Sequence, residues 1–137
     1  MGHALEKTHR LLKPDGVLME SHFTGELFSL EVHHQGEIKP AGPIDRADNF
    51  RRFKQAKAAL DQAVKDGLFW PVAERVFDYL VYADSLDVLR EWWDEPLSDF
   101  MTDDRVVKKV NELVLGTGGA AQVVLRRQVR VGRLKRV

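Results

Sequence analysis

The sequence predicts an α/β fold. An amphipathic helical stretch is stopped by Lys13-Pro14-Asp15-Gly16, the apolar run Val17-Leu18-Met19 follows at once, and the last segment of the chain alternates apolar and polar residues with the period of a strand. Helix, tight turn, strand is the unit from which α/β sheets are assembled.

In order along the chain, Ala4, Leu5, Thr8, Leu11 and Leu12 share one helical face, with Glu6, Lys7, His9 and Arg10 largely opposite. Pro14 cannot continue that helix, and Gly16 is expected to supply a positive φ in the turn. Val17, Leu18 and Met19 form a continuous run, as in a strand buried on both faces of a parallel sheet. From Thr24 to Pro43 glycines, prolines and polar residues predict a functional or poorly ordered loop, with a short strand around Leu27 to Val32. Asp45 or Asp48 caps the next helix, in which Phe50, Phe53, Leu60 and Val64 form a stripe ended by Gly67. Trp70 to Ala83 fits either a helical face or, by its valines and aromatics, a strand. Asp84 or Ser85 caps a short helix with Leu86, Leu89 and Trp93, closed by Pro96. Thr102, Asp103 and Asp104 open another, carrying Val106, Val107, Val110, Leu113 and Val114 up to the break at Gly116 to Gly119. In the final strand Val123, Leu125, Val129 and Val131 alternate with Arg126, Gln128 and Arg130, which predicts one solvated, charged face.

A chain of 137 residues, 44% hydrophobic, can bury one core, so a single domain over 1–137 is expected. Lys plus Arg and Asp plus Glu both number 21, and the zero formal charge removes any global attraction to nucleic acid, membrane or acidic substrates. The absence of cysteine excludes disulfides and thiolate chemistry and fits a reducing, cytoplasmic setting. No stretch approaches the roughly 18 apolar residues of a membrane span, and the N-terminus lacks the apolar core of a signal peptide. A soluble cytoplasmic protein without a membrane partner is expected.

The string ALEKTHRLLKPDGVLME, residues 4–20, resembles a segment of the class I S-adenosylmethionine-dependent methyltransferases of the type 11 kind: a helix ending in arginine, leucine and Lys-Pro-x-Gly, then the fifth strand. The matching residues are Glu6, Arg10, Leu12, Lys13, Pro14, Gly16 and Val17 to Met19. Val76-Phe77 through Tyr82-Ala83-Asp84-Ser85, with Leu86 and Leu89, is similar to the sixth strand and the helix after it, which favours a strand for the ambiguous stretch. Val123 to Val131 would be the seventh strand, which in this family inserts antiparallel between the fifth and sixth. The resemblance covers nearly the whole chain. It implies a partial Rossmann-like methyltransferase sheet, made of strands corresponding to the fifth, sixth and seventh, with flanking helices.

The family's cofactor, S-adenosylmethionine, is held by elements upstream of the segment matched at residues 4–20. No cofactor-binding residue carries over, and this chain alone is not expected to bind it. The resemblance thus implies a C-terminal, acceptor-side part of a methyltransferase, inactive by itself and taking a small-molecule acceptor when completed. Three strands alone would leave the fifth with an unpaired edge. That implies a homodimer or a companion chain through the open sheet edge, or else a gene fragment or a start upstream of Met1. The alternative reading is a non-catalytic α/β interaction module that uses the same edge.

Among individual residues, His22 lies just past the predicted first strand, where open α/β sheets place ligands, and is the candidate catalytic base. His33 and His34 with Glu31 and Glu37 carry metal-ligating groups, but neighbours on an extended segment point to opposite faces, so a solvated loop is the plainer reading and no metal is expected. Trp92 and Trp93 beside Phe100 suggest an aromatic wall or simple packing. Arg126, Arg127, Arg130, Arg133, Lys135 and Arg136 make a basic strand that reads better as a charged edge or solvated face than as a nucleic-acid site. The glycines at 116, 118 and 119 follow a helix instead of a first strand, the wrong context for a nucleoside, and read as a turn.

Overall fold

The computed structural model describes residues 2–24, 28–44, 47–92 and 104–137. The elements are α1 (Gly2–Leu11), β1 (Val17–Phe23), β2 (Ser29–His34), β3 (Glu37–Pro43), α2 (Ala47–Lys65), β4 (Phe69–Ala83), α3 (Leu86–Glu91), α4 (Asp104–Leu115) and β5 (Gln122–Arg136). The fold is mixed α/β, with an antiparallel sheet of five strands and flanking helices. Among the described residues no helix is long and apolar enough to cross a membrane.

The chain forms two compact units: Met1–Glu26, Ala47–Phe77 and Gln128–Val137 make unit 1, and Leu27–Arg46 with Asp78–Arg127 make unit 2. β5 pairs β1 in unit 1, from Val17↔Lys135 to Phe23↔Val129, and β2 in unit 2, from Ser29↔Arg126 to His33↔Gln122. β4 pairs β5 as well. The ion pairs Arg126–Asp78 and Arg130–Glu74 give the sense of that pairing: one index rises by four as the other falls by four, so the strands are antiparallel. In unit 1, β1 and β4 lie against the same stretch of β5 and therefore occupy its two edges.

In unit 1 the turn after α1 closes with the Gly16 amide donating to the Lys13 carbonyl at 2.8 Å. The positive φ belongs to Asp15 (61°), not to Gly16. Glycine is required at 16 because a Cβ would meet the Lys13 carbonyl oxygen at 2.7 Å. Lys135 then pairs with Asp15 at 3.0 Å, and the Arg136 guanidinium donates to the Leu12 carbonyl, which fastens the turn to β5. Leu5 of α1 and Leu12 just after it join Leu60, Ala63 and Val64 of α2 over Leu18, Phe69 and Leu134. α2 ends as glycine at 67 predicts, with φ 73° and the Leu68 amide returning to the Ala63 carbonyl at 3.0 Å.

β1 is not buried on both faces in a parallel sheet. It runs antiparallel to β5, with Val17 40% and Met19 61% exposed and the alternate residues covered. Both helices of unit 1 pack on the Leu18 side, and Val17, Met19 and Ser21 on the other are exposed. On the unit 1 stretch of β5 the expected faces are reversed: Gln128, Arg130, Gly132 and Leu134 lie on the side of Leu18 and α2, because each directly paired residue shares a face with its partner.

In unit 2 the predicted loop is a hairpin, β2–β3, turned at Gln35 (φ 50°) and Gly36 (φ 80°). Pro40 and Pro43 lie on β3, an edge strand, where a missing amide costs little. Leu30, Val32, Leu89, Val106, Val110, Val123, Val124 and Leu125 are buried, so the β5 stretch of this unit is covered on both faces instead of one. Ser85 is the N-cap of α3, its Oγ accepting from the Val88 amide at 3.1 Å. The expected cap residues Asp45, Thr102 and Asp103, and Trp93, Pro96 and Phe100, lie outside the described residues, whereas Asp48 and Phe50 fall within α2.

Candidate functional site

Strand alternation decides which side chains of unit 1 meet. Leu18, Glu20 and His22 project from one face of β1, and the register sets them opposite Leu134, Gly132 and Arg130. Leu18 and Leu134 belong to the apolar core, so Glu20 and His22 carry the same covered face onward toward the end of β1. His22 lies within that strand and not beyond it.

The His22 Nδ1 is 2.7 Å from Glu20 Oε2, with the two side chains only 12% and 13% exposed. An ionised carboxylate accepts and cannot donate, so Nδ1 carries the hydrogen of this bond, and in a neutral ring Nε2 would present its lone pair. Gly132 makes this possible. A Cβ there would overlap Glu20 Oε1, and its absence leaves room for the carboxylate to lie over β5 and reach the imidazole.

Opposite His22, the Arg130 Nε donates to Glu74 Oε2 at 3.0 Å and Nη2 donates to the same oxygen. Its Nη1 is buried and has no partner among the described residues. Two cavities open beside this pair and share Glu74 and Arg130 as lining. The larger, about 580 Å³, is walled by Leu60, Val64, Val72 and Leu134 together with Glu20. The smaller, about 390 Å³, presents His22, Lys54, Lys57 and Gln128, with Phe53 as an apolar wall. Phe53 meets Phe23 edge to face at 5.8 Å, and Thr24 donates to Gln128 Oε1 at 2.9 Å. Lys57 is also tied to Asp61, at 2.7 Å. The smaller cleft therefore combines an imidazole oriented by Glu20 with Lys54, the Lys57–Asp61 pair and the Arg130–Glu74 pair.

Of the residues weighed in sequence as site candidates, His22 and Arg130 line this cleft, together with Phe53 of the predicted helical stripe and Gln128 of the final strand. His33 and His34 sit on β2, not in a solvated loop. The His33 Nε2 lies 3.6 Å from Glu31 and its ring stands edge to face with Tyr82, whereas Glu37 pairs with Lys39. No group of three or more histidine and acidic side chains able to hold a metal ion occurs among the described residues. Trp92 is 61% exposed at the end of α3. The arginines of β5 form neither an edge nor a free basic face. Arg126 binds Glu31 at 2.9 Å and Asp78 at 2.8 Å, bonds that raise its pKa above the ordinary value, and Arg127 is buried.

The glycines at 116, 118 and 119 form a turn after α4, in which the amides of Gly116, Thr117 and Gly118 donate to the Glu112, Val114 and Leu115 carbonyls of the helix end.

One sequence signal did point to Glu20, since residues two apart on a strand share a face. Glu74, Lys54, Lys57, Gln128 and Gly132 depend on register and helix placement and carry no such local signal. No known protein family, curated protein or solved structure matches this chain.

Proposed function

We propose that the chain is the C-terminal, acceptor-side part of a class I S-adenosylmethionine-dependent methyltransferase, with the cofactor held by a separate stretch of polypeptide. The observation that carries this reading is the strand order of unit 1, where β5 runs antiparallel between β1 and β4, as the family's seventh strand does between its fifth and sixth. The uncovered Val17 and Met19, and an outer edge of β1 with no strand beside it among the described residues, suit a chain that is completed by a cofactor-binding half. The role of this part is to align the acceptor. A base is needed only where the acceptor sheds a proton, and His22, oriented by Glu20, is the group for it.

A second reading is favoured by β4, where Trp70, Val72, Val76 and Phe77 are exposed on both faces: a non-catalytic module that buries this strand against a partner. Calorimetric titration with S-adenosylhomocysteine tests the first reading. The chain alone should give no binding heat, and its complex with a cofactor-binding half should bind one equivalent. Stoichiometric binding by the chain alone would overturn the reading, and a stable complex that never binds the product would leave the module.

A further inference from the structure

We propose that the exposed sheet face of unit 1, opposite α1 and α2, is the docking surface for an amphipathic helix of a protein partner, a helix whose apolar stripe is flanked by carboxylates. This rests on the methyltransferase reading only for naming that partner as the cofactor-binding half; docking itself requires none of it.

Strand alternation settles what this face presents. Val17, Met19 and Ser21 point away from the helices, and so do Val129, Val131 and Arg133, which pair directly with Phe23, Ser21 and Met19. Glu74 reaches Arg130 on the helix side, which turns Arg75 and Phe77 of β4 to the opposite one. Val17, Met19 and Phe77 are exposed, and with the half-buried Val129 and Val131 between them they make the middle of the face apolar.

Charge selects the occupant. Arg75 and Arg133 are exposed, and neither has a partner among the described residues. Lys135, on the same side, is held by Asp15 at 3.0 Å. Among the described residues the unit 1 stretches of β1, β4 and β5 place no aspartate or glutamate on this side. A second copy would bring the arginines against their own kind, which leaves self-association weak, whereas carboxylates on a partner complement them. Apart from Phe77 the middle is aliphatic, which suits leucine-like side chains better than the stacked bases of a single-stranded nucleic acid. The spacing fits a helix. The Glu74–Arg130 pair sets Arg75 beside Val129, and from Val129 to Arg133 the strand rises about 13 Å. Just over two helical turns of about 5.4 Å span that distance, so carboxylates on the two flanks of one apolar stripe reach both arginines.

The test is titration of the full chain, followed by its amide resonances, with a helical peptide of about five turns that carries a leucine stripe flanked by glutamates, and with the same peptide carrying lysines in their place. The glutamate peptide should bind saturably and about tenfold more tightly than the lysine peptide, a ratio expected of complementary charges around an apolar contact. The double variant Arg75→Glu with Arg133→Glu, both exposed positions that leave the core alone, should reverse that preference, and the gain of lysine-peptide binding shows that the variant is folded. Met19→Ser should weaken both peptides severalfold. Equal binding of the two peptides would overturn the proposal, as would a preference that survives the double charge reversal or tighter binding of single-stranded oligothymidylate than of the glutamate peptide. The S-adenosylhomocysteine titration is independent: its failure in every complex removes the methyltransferase reading and leaves this surface, whereas the failures just named remove the surface alone.

Discussion

Arg127 is 7% exposed, with its guanidinium over the Phe28 ring at 5.8 Å, and burial lowers its pKa from the ordinary arginine value to about 10. The nearby Tyr79 works in the opposite direction without offsetting it. Such a shift corresponds to a folding cost on the order of 3 kcal/mol for keeping the side chain charged. Arg127→Met, which keeps the length and drops the charge, should therefore leave stability unchanged or raise it by up to about 3 kcal/mol in urea unfolding at neutral pH. A loss of more than about 1 kcal/mol would show that the contacts of the guanidinium outweigh its desolvation. The pH dependence has a definite sign. Between about 10 and the ordinary arginine value the unfolded chain holds more protons than the folded one, so the wild type gains on Arg127→Met as pH rises through that window. Composition alone gave no hint of this, because a run of arginines on a strand reads as solvated. Arg126 and Arg130 find carboxylates on neighbouring strands and Arg127 finds a ring, which only the pairing register decides.

At the level of elements, the β2–β3 hairpin turns on two residues with positive φ, Gln35 at 50° and Gly36 at 80°, the geometry of a type I′ turn. Asparagine tolerates the left-handed region better than glutamine, so Gln35→Asn should stabilise the chain by about 0.5 kcal/mol. Gly36→Ala should destabilise by about 1 kcal/mol through the backbone alone, since a Cβ at 36 would meet nothing within 4 Å. Equal midpoints for all three chains in chemical denaturation would refute the assignment. This hairpin was the element least legible in sequence: its prolines and glycines read as breakers, yet Pro40 and Pro43 are accommodated on an edge strand. The helices read well because their signals are local, such as the Ser85 cap, the glycine at 67 and the Leu60–Val64 stripe. Strand faces read poorly. A run such as Val17-Leu18-Met19 looks the same whether its second face is covered or bare. For the site, position along the strand was enough to find His22, and the rest of the cleft awaited the cross-strand register and α2.

For the molecule as a whole, Val17 and Met19 sit on an uncovered sheet face next to a strand edge without a partner among the described residues. Apolar edges of this kind self-associate. The weight-average mass in sedimentation should rise with concentration for the wild type and stay constant for Met19→Lys, while Met19→Lys changes unfolding by no more than about 0.5 kcal/mol, as for an exposed position. A monomeric wild type at high concentration would mean the bare face is inert. The long-range pairing of β1 has a further consequence, one of timing. Its partner residues on β5 lie over a hundred residues downstream. Closing so long a loop adds little to the equilibrium cost but slows folding. At the usual pace of translation, roughly 5 to 20 s separate the emergence of β1 from that of the strand that receives it. Throughout that interval β1 lacks its partner and exposes its apolar residues, which makes the newly made chain, more than the finished one, the species that depends on chaperones.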